Sequence, residues 1–315
     1  MRRVLQSPLF ACLVVLLSAV ASGAEDASSY TRTRDVIYGR KDGLALTMDV
    51  IAPKEKPNGL GVVFVVSGGW RSSTAAIRPE LFTPFLRHGY TVFAVVHGTQ
   101  PKFTVPEIIE DIHRAVRFIR FHARDYRIDP DHLGITGASA GGHLSLMMGT
   151  AGATGKPRTS DPVDRVSSRV QAVACFFPPT DFLNYGKEGA VLDCKNIDRR
   201  FRAALDFQAL DNNERVFKRI TDESRIQELL RDISPISHVS PDDPPTLIIH
   251  GDKDTLVPLQ QSQRMVAKLK EAGVPNNLIV KKDCGHGWIT ILKDTETLAD
   301  WFDRYLKNEP QKAAE

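Results

Sequence analysis

Residues 134–143 read GITGASAGGH, with Ser139 set between Gly137 and Gly141 where an apolar run gives way to small residues. By itself the G-x-S-x-G pattern arises by chance in roughly one chain in ten of this length. Its setting says more. HLGIT before it reads as a strand and GGHLSLMMGTAG after it as a helix, so the serine occupies a strand-to-helix reversal. Such a sharp turn lifts its central side chain above the sheet edge. Its neighbours must then be small, because larger side chains would strike adjacent strands and the helix. Gly137, Ala138, Ala140, Gly141 and Gly142 meet that demand. A serine that merely capped a helix would not require them.

Outward from this turn, strand and helix alternate, as in right-handed β-α-β winding. LGVVFVVSGG and YTVFAVVHG are near-continuous apolar runs closed by glycine, the pattern of parallel strands buried on both faces. DVIYGRKDGLALTMDVIAP (35–53) reads as an antiparallel hairpin about its KDG turn. Between Pro106 and Arg127, Ile108, Ile112, Ala115, Val116, Ile119 and Ala123 recur at helical spacing. Arg114, Arg117, Arg120, Arg124 and Arg127 form a basic stripe on the same segment, read as an exposed helical face. VQAVACFFPP and PPTLIIHGD are further strands, PLQQSQRMVAKLKEAG is a helix, NNLIVKKDCGHG is the last strand with its loop, and DTETLADWFDRYLKN is a closing helix. Residues 182–235 break this rhythm, being rich in charge and helix formers without a clear strand, and read as an insertion.

A chain of 315 residues, 42% hydrophobic and 25% charged, can bury a sizeable core and belongs to neither the disordered nor the fibrous classes. A formal charge of +3, with no segment gathering most of the lysine and arginine, argues against a nucleic-acid partner. Residues 1–24 have the layout of a secretory signal peptide: Arg2 and Arg3, an apolar core from Leu9 to Val20, and small residues ending at Ala24. That core is shorter than the roughly 20 residues needed to cross a bilayer. Cleavage after Ala21 or Ala24 is therefore expected to leave a soluble exported chain, periplasmic or secreted, without stable membrane insertion. Cys175, Cys194 and Cys284 would remain, an odd set that reads as buried or half-buried thiols with at most one bridge through Cys194. There is no C-x-x-C pair, and no cluster of histidine with carboxylate has ligand spacing, so no metal is expected.

A serine hydroxyl is a weak nucleophile that needs a base to take its proton and an acid to hold that base. Of the nine histidines, His97, His250 and His286 each follow a strand, where a parallel sheet places its binding loops. His250 begins HGDKDTLVP and sits in the strand end, whereas His286, in KKDCGHGW, is flanked by glycines that let an imidazole reach across. His286 is the expected base. His88, His113, His122 and His132 read as surface or cap residues, and His143, on the helix after Ser139, as a packing residue. For the acid, Asp254 lies deeper in its loop, toward His286, while Asp252 suits local backbone bonding. Backbone donors for a developing oxyanion are expected from Ala140 and from the SGGW loop, where Gly68 and Gly69 allow close approach of main chain to ligand. Trp70 and Trp288 flank the two loops, either as an aromatic wall of the substrate pocket or as core packing.

VVSGGW, GASAGGH, PPTD, HGDKDTLVP and CGHGW together resemble the α/β-hydrolase superfamily, in particular its carboxylesterase-like and prolyl-oligopeptidase-like branch, over residues 35–306. The resemblance implies a single domain over residues 25–315 with a mostly parallel sheet of about eight strands, helices on both faces and a small lid at 182–235. It implies Ser139 as nucleophile, Asp254 as acid, His286 as base, and Gly69 with Ala140 as oxyanion donors, with Asp181 of PPTD supporting the site. It further implies a small-molecule ester substrate, carbohydrate-linked esters included, and no cofactor; peptide hydrolysis is the alternative, and a silent binding protein a second. The chain departs from many esterases of this branch at Ser67, where they have histidine, and at VVHGTQ, where tyrosine and arginine are common, so that His97 and Gln100 are expected to line a differently shaped substrate pocket.

Overall fold

Asp42 and Gly43 both take positive φ, 48° and 77°, and close a tight turn between β1 (Tyr30–Lys41) and β2 (Leu44–Pro53). This antiparallel pair opens the structure, a computed structural model that describes residues 29–307. The expected signal peptide, residues 1–24, lies outside them.

The alternation then follows: β3 (Gly61–Val65), α1 (Thr83–Arg87), β4 (Thr91–Val96), α2 (Val105–Phe121), the single turn α3 (Ala123–Tyr126), β5 (Leu133–Ala138), α4 (Ala140–Thr150) and β6 (Ala172–Phe176). After the 182–235 segment come β9 (Thr246–Gly251), α6 (Gln260–Glu271), β10 (Asn276–Lys281) and α7 (Ile291–Leu306). The segment itself holds β7 (Gln208–Asp211), β8 (Val216–Arg219) and α5 (Glu223–Asp232). The large sheet has eight strands in the order β1-β2-β4-β3-β5-β6-β9-β10. From β4 to β10 all pairings are parallel.

Alternate residues of each central strand enter different cores. Val63, Ile135 and Val173 pack with apolar side chains of α2, α4 and α6, while Val62, Ala172 and Leu247 pack with those of α1 and α7. A strand covered on both faces has no polar side, and so its sequence reads as a continuous apolar run.

Three expectations are corrected here. The arginine stripe is an exposed face only at Arg124 and Arg127; Arg117 is 4% exposed and its Nε donates to the Val166 carbonyl at 3.2 Å. Arg120 donates to the carbonyls of Pro130, Ser167 and Arg169, and Arg114 pairs with Asp161 and Asp164. The loop before β6 lies across α2, and guanidinium forks supply the donors that its carbonyls lack. His113 is likewise buried rather than at the surface, its Nδ1 paired with Ser168 Oγ at 2.8 Å. In the insertion, the strands that the sequence concealed form an antiparallel hairpin, β7 with β8, apart from the large sheet. Four residues per strand are too few to display an alternation, and Leu210, Val216 and Phe217 are exposed.

Among the described residues no helix is long and apolar enough to cross a membrane. Cys175, Cys194 and Cys284 are free thiols.

Candidate active site

β3 and β5 are neighbours at the centre of the sheet, and the chain leaves them in opposite directions, β3 toward β4 and β5 toward β6. A crevice opens where winding reverses in this way, outside the carboxyl ends of the strands. The SGGW loop follows β3 and Ser139 follows β5, so both border that crevice. Asp254 and His286 sit in the loops after β9 and β10.

Ser139 has φ 54° and ψ −118°, a strained conformation for a residue with a Cβ. Its neighbours permit it. A Cβ on Gly137 would come within 2.6 Å of the Gly141 carbonyl carbon, and one on Gly141 within 2.7 Å of the Val65 carbonyl oxygen. The Ser139 N–H donates to the Phe176 carbonyl at 3.0 Å, tying the turn to the end of β6.

His286 Nε2 lies 2.9 Å from Ser139 Oγ, and His286 Nδ1 lies 2.7 Å from Asp254 Oδ2. An ionised carboxylate only accepts, so Nδ1 carries the proton and Nε2 is left bare to accept from the serine hydroxyl. Burial would raise the Asp254 carboxyl, but hydrogen bonds from His250 and His286 outweigh it and hold the group well below the usual carboxylate range. Asp254 Oδ1 accepts the N–H groups of Leu256 and Val257, each at 2.9 Å. Asp254 thus does the local backbone bonding expected of Asp252, which is exposed. His250 is buried beneath it: Nε2 donates to the Val257 carbonyl at 2.9 Å and lies 3.3 Å from Asp254 Oδ2, while Nδ1 accepts from Ser262 Oγ at 2.6 Å. The Phe177 ring packs 4.4 Å from the His286 ring, centroid to centroid. Phe177 holds φ at 35° directly after β6, and no motif in the sequence singles it out.

Of the glycines in the SGGW loop, Gly68 is removed from the donor set, because its N–H already donates to the Arg71 carbonyl at 3.0 Å. Gly69, at φ 56°, borders the cavity beside Ser139 and Ala140. Ala140 opens α4, where an amide has no intrahelical acceptor and the helix dipole favours negative charge.

A cavity of about 220 Å³ adjoins Ser139. Trp70 lines it, as expected. Trp288 does not: its Nε1 donates to Asp294 Oδ2 at 2.5 Å and its ring backs Phe176 and Phe177. His97 does not either, being buried below the loop with Nδ1 at 2.6 Å from the Gly98 carbonyl; burial pushes its imidazole down to about 4. Gln100 is buried behind Gly69 rather than in the cavity wall. The wall comes instead from Phe182, Tyr185, Leu192, Ile197 and Phe201 of the 182–235 segment, together with Leu256 and Val257. Their spacing follows no period, and the sequence held no signal for them. Asp181 fixes the entry to this segment, accepting from the N–H groups of Leu183 and Asn184 and from Arg264. Among the described residues no group of three or more His, Cys, Asp or Glu side chains is arranged to hold a metal ion.

A mostly parallel eight-stranded sheet, with a strained serine after its central strand and an acid and a histidine after later ones, defines an α/β-hydrolase. The chain belongs to the BD-FAE family, whose family model matches residues 48–269. It is similar to a probable carboxylic ester hydrolase, LipM, of Mycobacterium tuberculosis, at 31% identity over 215 residues, covering 67% of this chain and 45% of LipM. The chain spans about half the length of the curated relatives it matches. Among solved structures, a truncated carbohydrate esterase from gut microbiota superposes with a TM-score of 0.71 at 26% identity, covering 88% of this chain and 97% of that one. An acetyl ester-xyloside bifunctional hydrolase from Caldicellulosiruptor lactoaceticus shares the fold, with a TM-score of 0.69 at 22% identity over 86% of this chain and 95% of that one.

Proposed function

We propose that this chain hydrolyses carboxylic esters through an acyl-enzyme on Ser139. The observation that carries the reading is the pair of contacts that His286 makes, 2.9 Å to Ser139 Oγ and 2.7 Å to Asp254 Oδ2. His286 Nε2 takes the hydroxyl proton as Ser139 Oγ bonds to the ester carbonyl carbon. Asp254 stabilises the imidazolium and holds its orientation. Negative charge then develops on the carbonyl oxygen, and the N–H groups of Gly69 and Ala140 receive it; one such donor is worth about 2.7–4 kcal/mol. Collapse breaks the bond to the alcohol oxygen, which leaves with the proton from His286. Water, deprotonated by the same imidazole, releases the acid and restores the serine.

The apolar lining of the cavity suits the acyl group rather than a charged leaving group. Residues 182–235, which supply much of that lining, act as a lid that selects the acyl chain. The likeness to a carbohydrate esterase supports esters borne on a sugar as the substrate class, and the N-terminal sequence supports export. Steady-state turnover of p-nitrophenyl acyl esters against aminoacyl-p-nitroanilides tests the reading. Esters are expected to turn over faster; faster turnover of the anilides would reassign the chain to peptide hydrolysis.

A further inference from the structure

We infer that Gln100 is a positioning residue that fixes the oxyanion loop and couples it to the insertion above the cavity, an inference that rests on the ester-hydrolase reading. Gln100 is 1% exposed, and its Nε2 donates to two carbonyls at once, Gly69 at 2.6 Å and Arg200 at 2.7 Å. Its backbone N–H donates to a third, that of Trp70, at 3.2 Å. Two consecutive carbonyls of the SGGW loop are therefore held by one residue that follows β4.

The peptide plane on the other side of Gly69 is held separately, because the Gly68 carbonyl accepts the Arg71 N–H at 3.0 Å. The Gly69 N–H belongs to the same peptide plane as the Gly68 carbonyl, so the paired bonds between Gly68 and Arg71 set its direction within the turn. Gln100, through its side chain and its backbone N–H, holds the two carbonyls between those residues, Gly69 and Trp70, and so fixes where the turn as a whole, with the Gly69 N–H it carries, sits relative to Ser139.

The same amide reaches the insertion through Arg200, and the next residue makes a second contact. A Cβ on Gly69 would lie 2.6 Å from Phe201 Cε1, so the Phe201 ring rests directly on the glycine. Phe201 also lines the cavity and meets the Trp70 ring edge-on at 6.4 Å. An acyl group that displaces Phe201 thus moves the segment whose Arg200 carbonyl is hydrogen-bonded to the residue that anchors the Gly69 turn.

Gln100→Met keeps the length of the side chain and removes both side-chain bonds; Gln100→Asn keeps the amide on a shorter stem. With p-nitrophenyl acetate, either variant is expected to lower kcat about 10- to 100-fold, the scale of a misplaced reacting geometry, with KM within about twofold. The inhibition constant of a trifluoromethyl ketone, which forms a tetrahedral adduct on the serine, should weaken in the same proportion. Thermal melting reports which variant is folded, and Gln100→Asn serves if Gln100→Met is not. Unchanged kcat in a folded variant, or a lower kcat with unchanged ketone affinity, would overturn the inference while leaving the esterase reading intact. A wild-type protein without esterase turnover would overturn both.

Discussion

The Trp70 indole N–H donates to His143 Nδ1 at 3.2 Å, and His143 Nε2 donates to the Ile233 carbonyl at 2.7 Å. His143 stands one turn beyond Ser139 on α4, its own N–H accepted by the Ser139 carbonyl. The glycine loop, the helix behind the serine and the end of α5 are thereby joined through one imidazole. Burial pushes that imidazole down to about 4, which keeps it neutral and leaves Nδ1 able to accept. His143→Leu would strand both the indole N–H and the Ile233 carbonyl in the interior. It should destabilise the fold by about 2–4 kcal/mol, measured by urea unfolding. A loss below about 0.5 kcal/mol would mean that the linkage is incidental.

Asp254→Asn tests the acid. The amide can donate to His286 Nδ1, which shifts the imidazole proton to Nε2 and removes the acceptor for the serine hydroxyl. The expected loss in kcat is about 10⁴-fold with the fold retained. Retention of more than about a tenth of the activity would assign the orienting role elsewhere.

How much of this was readable beforehand follows from the physics of each part. That Ser139, Asp254 and His286 would meet could be read because a parallel sheet delivers its loops to one edge, and because a strained serine turn needs glycines where the backbone closes in. Gly68 was misassigned because the pattern of two glycines does not say which N–H is already bonded to Arg71. Trp288 looked like a pocket wall by position, yet its indole is turned away by Asp294, six residues on. The arginines of α2 read as solvated because periodicity describes a helix without the loop that lies over it. Leu192, Ile197 and Phe201 reach the cavity through tertiary packing of an irregular segment, and nothing local marks them.

Acid should unfold the protein in two regimes. Burial lowers His97, His113 and His143 to about 4, against roughly 6.5 in an unfolded chain. Between those values the unfolded state binds more protons than the folded one, so stability falls as pH falls, by up to about 1.4 kcal/mol per pH unit for each histidine. His88, raised by bonds to Glu296 and Asp303 that outweigh its desolvation, works in the opposite sense, its stabilisation being complete at low pH and lost as pH rises through its folded value. Below about pH 4 the depressed Asp254 carboxyl takes over, its contribution disappearing as pH falls through its folded value. Urea midpoints from pH 7 to 4.5 should decline; a flat or rising series would contradict the buried neutral histidines.

Filling the cavity should separate acyl chains. Ile197→Trp places a larger ring against a space of about 220 Å³. It is expected to lower kcat/KM for p-nitrophenyl hexanoate about tenfold or more, on the scale of about 1–3 kcal/mol per methylene, and to spare the acetate ester. Equal losses on both esters would show that this side of the insertion does not hold the acyl group.

The nucleophile itself can be read in one measurement. Incubation with a fluorophosphonate, followed by peptide mass spectrometry, should place a single stoichiometric adduct on Ser139 and none on Ser139→Ala. No adduct on the wild-type protein, or an equal one on Ser139→Ala, would contradict the account.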